Sequence, residues 1–136
     1  MPFIDTDALI ESEYEMTLDA VVLALGHQKF LEKEAIVIEK ALQSDTPAVI
    51  APGGSIAYHT SLIEIIQKNT HSIYIDVPLD TLQKRIGTTP RGIVNAHGSF
   101  ADLYAERIPL NQKFSSIVVD GTHVPEQIVL NIVNCI

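Results

Sequence analysis

Short apolar runs that alternate with helical patterns constrain the fold of this chain more than any other feature. Residues 48–51 form a continuous apolar run that ends in Pro-Gly-Gly, which is typical of a strand buried on both faces and followed by a tight turn. Segments 72–80 and 115–121 are further strand candidates, and Phe3–Ile4 has the character of a strand end. Strands that alternate with helices predict an α/β fold built on a mostly parallel sheet.

The helices between these strands follow from apolar residues at helical spacing. The pattern predicts helices over 17–25, 29–43, 61–68, 79–86, 100–110 and 124–135. Thr17 is expected to cap the first of them, and Pro109 is expected to end the helix that begins at residue 100. Residues 87–100 are rich in Gly, Thr, Pro and Asn, which predicts a mobile, lid-like loop.

The composition limits the classes of protein to which the chain can belong. Its 136 residues fit a single domain over 1–136, and an apolar fraction of 46% provides a core. A net charge of −8 without a basic stripe argues against nucleic acid as a partner, and no apolar run is long enough for a membrane span. With no signal peptide pattern and Cys135 as the single cysteine, we expect a cytoplasmic protein.

Asp5 and Asp7 follow the first strand directly, at the edge of a parallel sheet where ligands gather. One carboxylate could hold Mg²⁺, and the other could accept a proton from a substrate hydroxyl. The spacing equally allows a structural interpretation, in which Asp7 caps a helix and Asp5 is a solvated strand end.

The remaining candidates are a diglycine and the arginines. Gly53 and Gly54 follow a predicted buried strand, where their N–H groups could donate to a ligand or simply form a sharp turn. Arg85, Arg91 and Arg107 are the only arginines and bracket the predicted loop. They could bind phosphate or could be ordinary helix-surface charges.

These segments, in their order, resemble the shikimate kinase family of small P-loop kinases. The segments "FIDTDALIE", "GHQKFLEKE", "VIAPGGSI", "IYIDVPLDTLQKRI", "PRGIV" and "LYAERIPL" are each similar to a motif of that family, and together they span nearly the whole chain. The resemblance implies a three-layer α/β/α fold of the P-loop NTPase type. It also implies ATP-dependent phosphoryl transfer to the hydroxyl of a small metabolite, in aromatic amino acid biosynthesis.

The same resemblance implies roles for individual residues. Asp7 would bind the substrate hydroxyls and assist proton removal, and Asp5 would lie near Mg²⁺. Gly53 and Gly54 would offer backbone donors to the substrate. The implied arginine roles are these: Arg91 would act on the phosphates of ATP from the lid, Arg107 would contact the acidic group of the substrate, and Arg85 would lie against the adenine.

The chain departs from the family pattern at several positions. Leu31 stands where the family has a shikimate-binding arginine, Pro52 replaces the first glycine of a triple, and Asn111 replaces a tyrosine. A leucine cannot replace a bidentate arginine–carboxylate contact, so another alcohol such as homoserine is an alternative substrate. The sequence also contains no Gly-x-x-x-x-Gly-Lys-Ser/Thr motif, whose backbone N–H groups cradle the phosphates in P-loop kinases.

Two further expectations follow from the missing phosphate loop. We expect the strand–loop–helix unit that carries the phosphate loop to be lacking, so that these residues alone are inactive. The alternative is that the chain is a non-catalytic binding or interaction module. In the family, the strand of that unit lies in the sheet between the two strands that correspond to residues 48–51 and 72–77. Its absence predicts a rearranged sheet, or a homo-oligomer that covers the gap.

Overall fold

The computed structural model describes residues 1–86 and 98–136. Their helices and strands follow one another as β1 (Phe3–Asp5), α1 (Thr6–Tyr14), α2 (Leu18–Leu25), α3 (His27–Leu42), β2 (Val49–Ala51), a 3-10 turn (Gly54–Tyr58), α4 (Thr60–Asn69), β3 (Ile73–Asp76), α5 (Leu79–Ile86), α6 (Phe100–Phe114), β4 (Ile117–Asp120) and α7 (Pro125–Val133). Every predicted strand is present, although each is only three or four residues long.

The four strands form two parallel pairs rather than one sheet. Strand β1 pairs with β2, and β3 pairs with β4. The chain correspondingly divides into two compact units, the first built on Met1–Leu62 and the second on the chain from Ile63 onward. Within residues 1–86 and 98–136, the strands at Val49–Ala51 and Ile73–Asp76 do not pair with each other.

The first unit has a core formed by its three long helices. Ile10 of α1, Val21 of α2, and Phe30 and Val37 of α3 are buried together. Thr17 caps α2 as predicted, because its hydroxyl accepts a hydrogen bond from the Ala20 N–H at 3.4 Å. This packing holds the carboxyl end of β1 against the turn that follows β2, where the diglycine lies.

The second unit is held together by contacts at both ends of its strand pair. The Ser116 N–H donates to Ser72 Oγ at 2.9 Å where the strands begin. At their carboxyl ends, a Cβ on Gly121 would lie 2.5 Å from the Cγ2 atoms of both Ile75 and Val77, so only glycine fits there. These contacts fix the register that pairs β3 with β4.

Helix α6 differs from the sequence prediction at its end. Pro109 was predicted to end this helix, but the helix continues past it to Phe114. A proline removes one backbone donor, but a capping box at Ser99 starts the helix, and the burial of Leu103 and Phe114 stabilises it on both sides of the proline. Of the predicted loop at 87–100, residues 87–97 lie outside the described part, and Phe100 already belongs to the helix.

None of the helices in residues 1–86 and 98–136 combines the length and the hydropathy that a bilayer crossing requires.

Candidate functional site

Asp5, at the end of β1, caps α1. Its Oδ1 accepts hydrogen bonds from the Asp7 N–H at 3.0 Å and the Ala8 N–H at 3.2 Å. The structural interpretation that made Asp7 the helix cap is therefore wrong. A carboxylate one residue before the helix can reach the exposed N–H groups of the first turn, whereas Asp7 already belongs to that turn. The side chain of Asp7 is consequently available for other contacts.

Asp7 is the most perturbed acidic group in the described part of the chain. Its Oδ1 is buried and has no hydrogen-bond partner among residues 1–86 and 98–136. Burial, together with the nearby carboxylates of Glu34, Asp5 and Glu11, raises the pKa of Asp7 to about 6. A half-buried carboxylate with an unused acceptor atom is suited to receive a proton or a hydroxyl donor.

Gly53 lies directly against this carboxylate. A Cβ at that position would lie 2.7 Å from Asp7 Oδ1 and 2.6 Å from Glu34 Oε1, so any side chain there would require these carboxylates to shift. The 3-10 turn that follows begins at Gly54. The diglycine therefore brings the backbone close to two carboxylates, which is the role that a glycine performs best.

Glu34 and His59 were not predicted from the sequence. Glu34 is fully buried, and it accepts hydrogen bonds from Ser55 Oγ at 2.6 Å and from His59 Nε2 at 2.7 Å. The Ser55 hydroxyl is thus engaged by Glu34, and the next helix, α4, begins at Thr60. The signal for Glu34 was present, because it lies four residues after Phe30 and four before Ile38 on the buried face of α3.

In the second unit, Arg107 of α6 lines a cavity of about 170 Å³. Further side chains around it are Tyr74, Phe100, Tyr104 and Asn111. The Tyr104 hydroxyl donates to the Val77 carbonyl at 3.1 Å. Burial and the carboxylate of Asp76, which accepts a hydrogen bond from the Tyr74 hydroxyl, raise the pKa of Tyr74 to about 12. The lining thus combines two tyrosines, an arginine and an asparagine with apolar side chains.

The other two arginines have different positions. Arg85, on α5, donates from Nη2 to the Gly121 carbonyl at 3.0 Å and so links that helix to the end of β4. Arg91 lies outside the described residues. Of the sequence-predicted site residues, the structure brings Asp5, Asp7, Gly53 and Gly54 together in the first unit, whereas Arg85 and Arg107 belong to the second.

The described residues do not by themselves complete a site for the implied cofactors. Within 1–86 and 98–136, no group of three or more His, Cys, Asp or Glu side chains could hold a metal ion. The sequence also has no glycine-rich phosphate loop with its lysine. The residues present fit an acceptor hydroxyl better than they fit the phosphates of ATP.

Comparison with known proteins decides the family. The shikimate kinase family model matches residues 1–136. The chain belongs to the shikimate kinase family. A shikimate kinase of Streptococcus gordonii is 26% identical over 98% of this chain and 86% of the relative. A shikimate kinase of Corynebacterium jeikeium is 29% identical over 100% of this chain and 75% of the relative.

Solved shikimate kinases share the fold. The enzyme of Aquifex aeolicus superposes with a TM-score of 0.82 at 20% identity, over 98% of this chain and 80% of that one. A shikimate kinase from Acinetobacter baumannii, solved in complex with shikimate, gives a TM-score of 0.84 at 17% identity, over 98% and 79% of the two chains. The predicted α/β fold of the P-loop kinase type is thereby confirmed. By family, the chain is a small-molecule kinase and thus a transferase.

Proposed function

We propose that this chain binds the acceptor alcohol of an ATP-dependent phosphoryl transfer, with shikimate as the acceptor that the family indicates. The observation that carries the proposal is the buried Oδ1 of Asp7, which has no hydrogen-bond partner in the described part of the chain and lies against Gly53. A substrate hydroxyl would supply the missing donor, and buried polar groups are costly unless they are paired.

Asp7 would act as the general base in this reaction. The acceptor oxygen would form a bond to the γ-phosphorus of ATP while the bond from that phosphorus to the bridging oxygen breaks and ADP leaves, and the proton of the acceptor hydroxyl would pass to the Asp7 carboxylate. A pKa of about 6 leaves this carboxylate ionised at pH 7 and makes it a better proton acceptor than an ordinary aspartate. The N–H groups of Gly53 and Gly54 would orient the substrate, and Arg107 would contact its acidic group.

ATP would supply the phosphoryl group, and Mg²⁺, near Asp5, would neutralise its charge. Arg85 would lie against the adenine and Arg91 would contact the phosphates. Because the sequence lacks the phosphate-binding motif, we propose that these 136 residues do not turn over ATP on their own. A cytoplasmic location, where ATP is available, fits this role.

The identity of the alcohol depends on Leu31. Leucine cannot bind a carboxylate as the arginine of the family pattern would. We therefore expect this chain to prefer acidic over non-acidic alcohols less strongly than a shikimate kinase that has the arginine. A smaller hydroxyl substrate such as homoserine is the alternative within the same chemistry.

The test is calorimetric titration of the 136-residue protein with shikimate and separately with homoserine. We expect shikimate to bind, and Asp7→Ala to abolish binding because the substrate hydroxyl loses its acceptor. An exposed matched control, Asp19→Ala, should bind as the original chain does. If homoserine binds more tightly than shikimate, homoserine is the better assignment of the substrate. If Asp7→Ala leaves binding unchanged, the assignment of the site is refuted.

A second function, a non-catalytic binding module, is favoured by the absence of the phosphate-binding motif. The two functions differ in their response to a segment that restores the motif. Fusion of a shikimate kinase strand–loop–helix segment to the N-terminus should give ATP-dependent phosphorylation of the acceptor if the catalytic residues are intact. A folded fusion protein that binds the acceptor without turnover would favour the binding module.

A further inference from the structure

A buried polar cluster in the first unit lies beside the proposed site but takes no direct part in the proposed proton transfer. Glu34, Ser55 and His59 are 0%, 6% and 8% exposed. Burial of a carboxylate is strongly unfavourable unless donors surround it. Among residues 1–86 and 98–136, the donors are Ser55 Oγ and His59 Nε2, and His59 is the only basic side chain in a salt-bridge geometry with Glu34.

The cluster links α3 to the turn that carries the diglycine. Glu34 belongs to α3, whereas Ser55 lies within the 3-10 turn and His59 directly follows it. Because an ionised carboxylate can only accept, the contact requires a proton on Nε2 of His59. The two donors thus fix the carboxylate from the side of the turn.

The Glu34 carboxylate also lies against the substrate end of the proposed site. A Cβ on Gly53 would approach both Glu34 Oε1, at 2.6 Å, and Asp7 Oδ1, at 2.7 Å. Glu34 also contributes to the raised pKa of Asp7. A displaced Glu34 carboxylate would therefore move either the diglycine backbone or Asp7, since interiors are too closely packed to absorb the change.

We propose that His59 is a positioning residue: through its hydrogen bond to Glu34 it fixes Gly53 and Asp7 in the geometry that receives the acceptor alcohol. The proposal rests on the proposed function for the nature of the ligand, but its structural part does not. With Leu31 where the family pattern has an arginine, α3 offers no cationic side chain at that position, and the turn supplies the donor from its own side.

The test compares two substitutions of His59. His59→Gln retains an N–H donor close to the position of Nε2, whereas His59→Leu removes it at similar size. We expect His59→Leu to shift the amide resonances of Gly53 and Gly54 and to weaken shikimate binding by about tenfold, because Gly53 and Asp7 leave the geometry that receives the acceptor. His59→Gln should restore both, and the exposed control His71→Leu should change neither.

The outcomes separate this proposal from the proposed function. If the original chain does not bind shikimate, the amide resonances still test whether His59 positions the diglycine. If His59→Leu lowers the melting temperature but leaves the glycine resonances and the affinity unchanged, His59 is merely structural and the proposal is overturned. Should His59→Leu fail to fold, Ser55→Ala removes the second donor to Glu34 and is expected to shift the same resonances to a smaller extent; unchanged resonances would overturn the proposal.

Discussion

At the scale of single residues, the candidate site places acidic side chains close together at the cost of stability. Asp7 has a pKa of about 6 in the folded protein, against an ordinary value of 3.8. The folded state therefore holds this proton more tightly than the unfolded chain, and ionisation of Asp7 opposes folding as the pH rises from about 4 to about 6. Active sites commonly retain such destabilising groups for their chemistry.

Replacement of this charge should stabilise the protein at neutral pH. We expect Asp7→Asn to raise the free energy of unfolding by about 1–2 kcal/mol at pH 7, after allowance for solvent screening, and to have little effect at pH 4. Urea unfolding at the two pH values measures the difference. The exposed Asp19→Asn serves as the control and should show no comparable pH-dependent gain. Equal effects of Asp7→Asn at pH 4 and pH 7 would contradict the perturbed pKa.

Gly53 is the second residue at which the site limits substitution. The Cβ of Gly53→Ala would meet carboxylate oxygens of Glu34 and Asp7 at under 3 Å. We expect a loss of about 1–3 kcal/mol, as for overpacked cores, measured by thermal unfolding. Gly26→Ala measures the other possible cause, backbone strain: its φ is +78° with nothing within 4 Å of the added Cβ, whereas Gly53 has a φ of −60° and no such strain. A change at Gly53 that is harmless would show that the two carboxylates can move apart.

The sequence was sufficient to predict part of this site. The carboxyl end of an apolar run marked Asp5 and Asp7, and the diglycine marked a close approach of the backbone. The sequence could not show that Glu34 and His59 meet, because residues 25 positions apart come together only through the packing of α3 against the turn. The structure brings four of the predicted residues together, but the roles of all of them stay predictions, namely those of Asp5, Asp7, Gly53, Gly54, Arg85, Arg91 and Arg107.

At the scale of helices and strands, apolar periodicity placed the elements that it predicted within a few residues of their observed bounds. Local turn chemistry was less reliable. Pro109 predicted the end of a helix, yet α6 continues past it because side chains on both sides of the proline are buried. Tertiary packing overrides the preference of a single residue when the packed face extends beyond it.

Helix α6 should therefore be more stable without its proline. We expect Pro109→Ala, in the interior of the 15-residue helix, to raise the free energy of unfolding by about 1–3 kcal/mol, since alanine restores a backbone donor and favours the helix. Urea unfolding measures this gain. The control is Pro125→Ala at the start of α7, where proline is well tolerated and the change should be small. Destabilisation by Pro109→Ala would mean that the proline shapes the helix for its packing.

At the scale of the whole chain, the two strand pairs leave backbone edges without partners in the described part of the structure. Two-stranded sheets are marginally stable, and an open edge is a template for another strand. Val49 and Ile75 on these strands are 51% and 47% exposed. These features are consistent with the homo-oligomer that the sequence led us to expect, which stays a prediction.

Association should be measurable in solution. We expect light scattering to give a mass above the 14.9 kDa of one chain at micromolar concentration. Val49→Lys should shift the mass toward the monomer, because charged side chains on edge strands oppose pairing. Val129→Lys places the same charge on exposed α7 and should leave the mass unchanged. A monomer at every concentration, for all three proteins, would exclude strand-mediated assembly.

The division of the strands into two pairs also bears on how the chain acquires its structure. In the first unit, the Thr6 hydroxyl bonds to the carbonyl of Ala51, 45 positions away, and in the second the Ser116 amide bonds to Ser72, 44 positions away. Each pairing therefore closes a loop of nearly the same length, at a similar entropic cost. Neither loop requires the other to be closed first, so we expect that folding can begin in either unit.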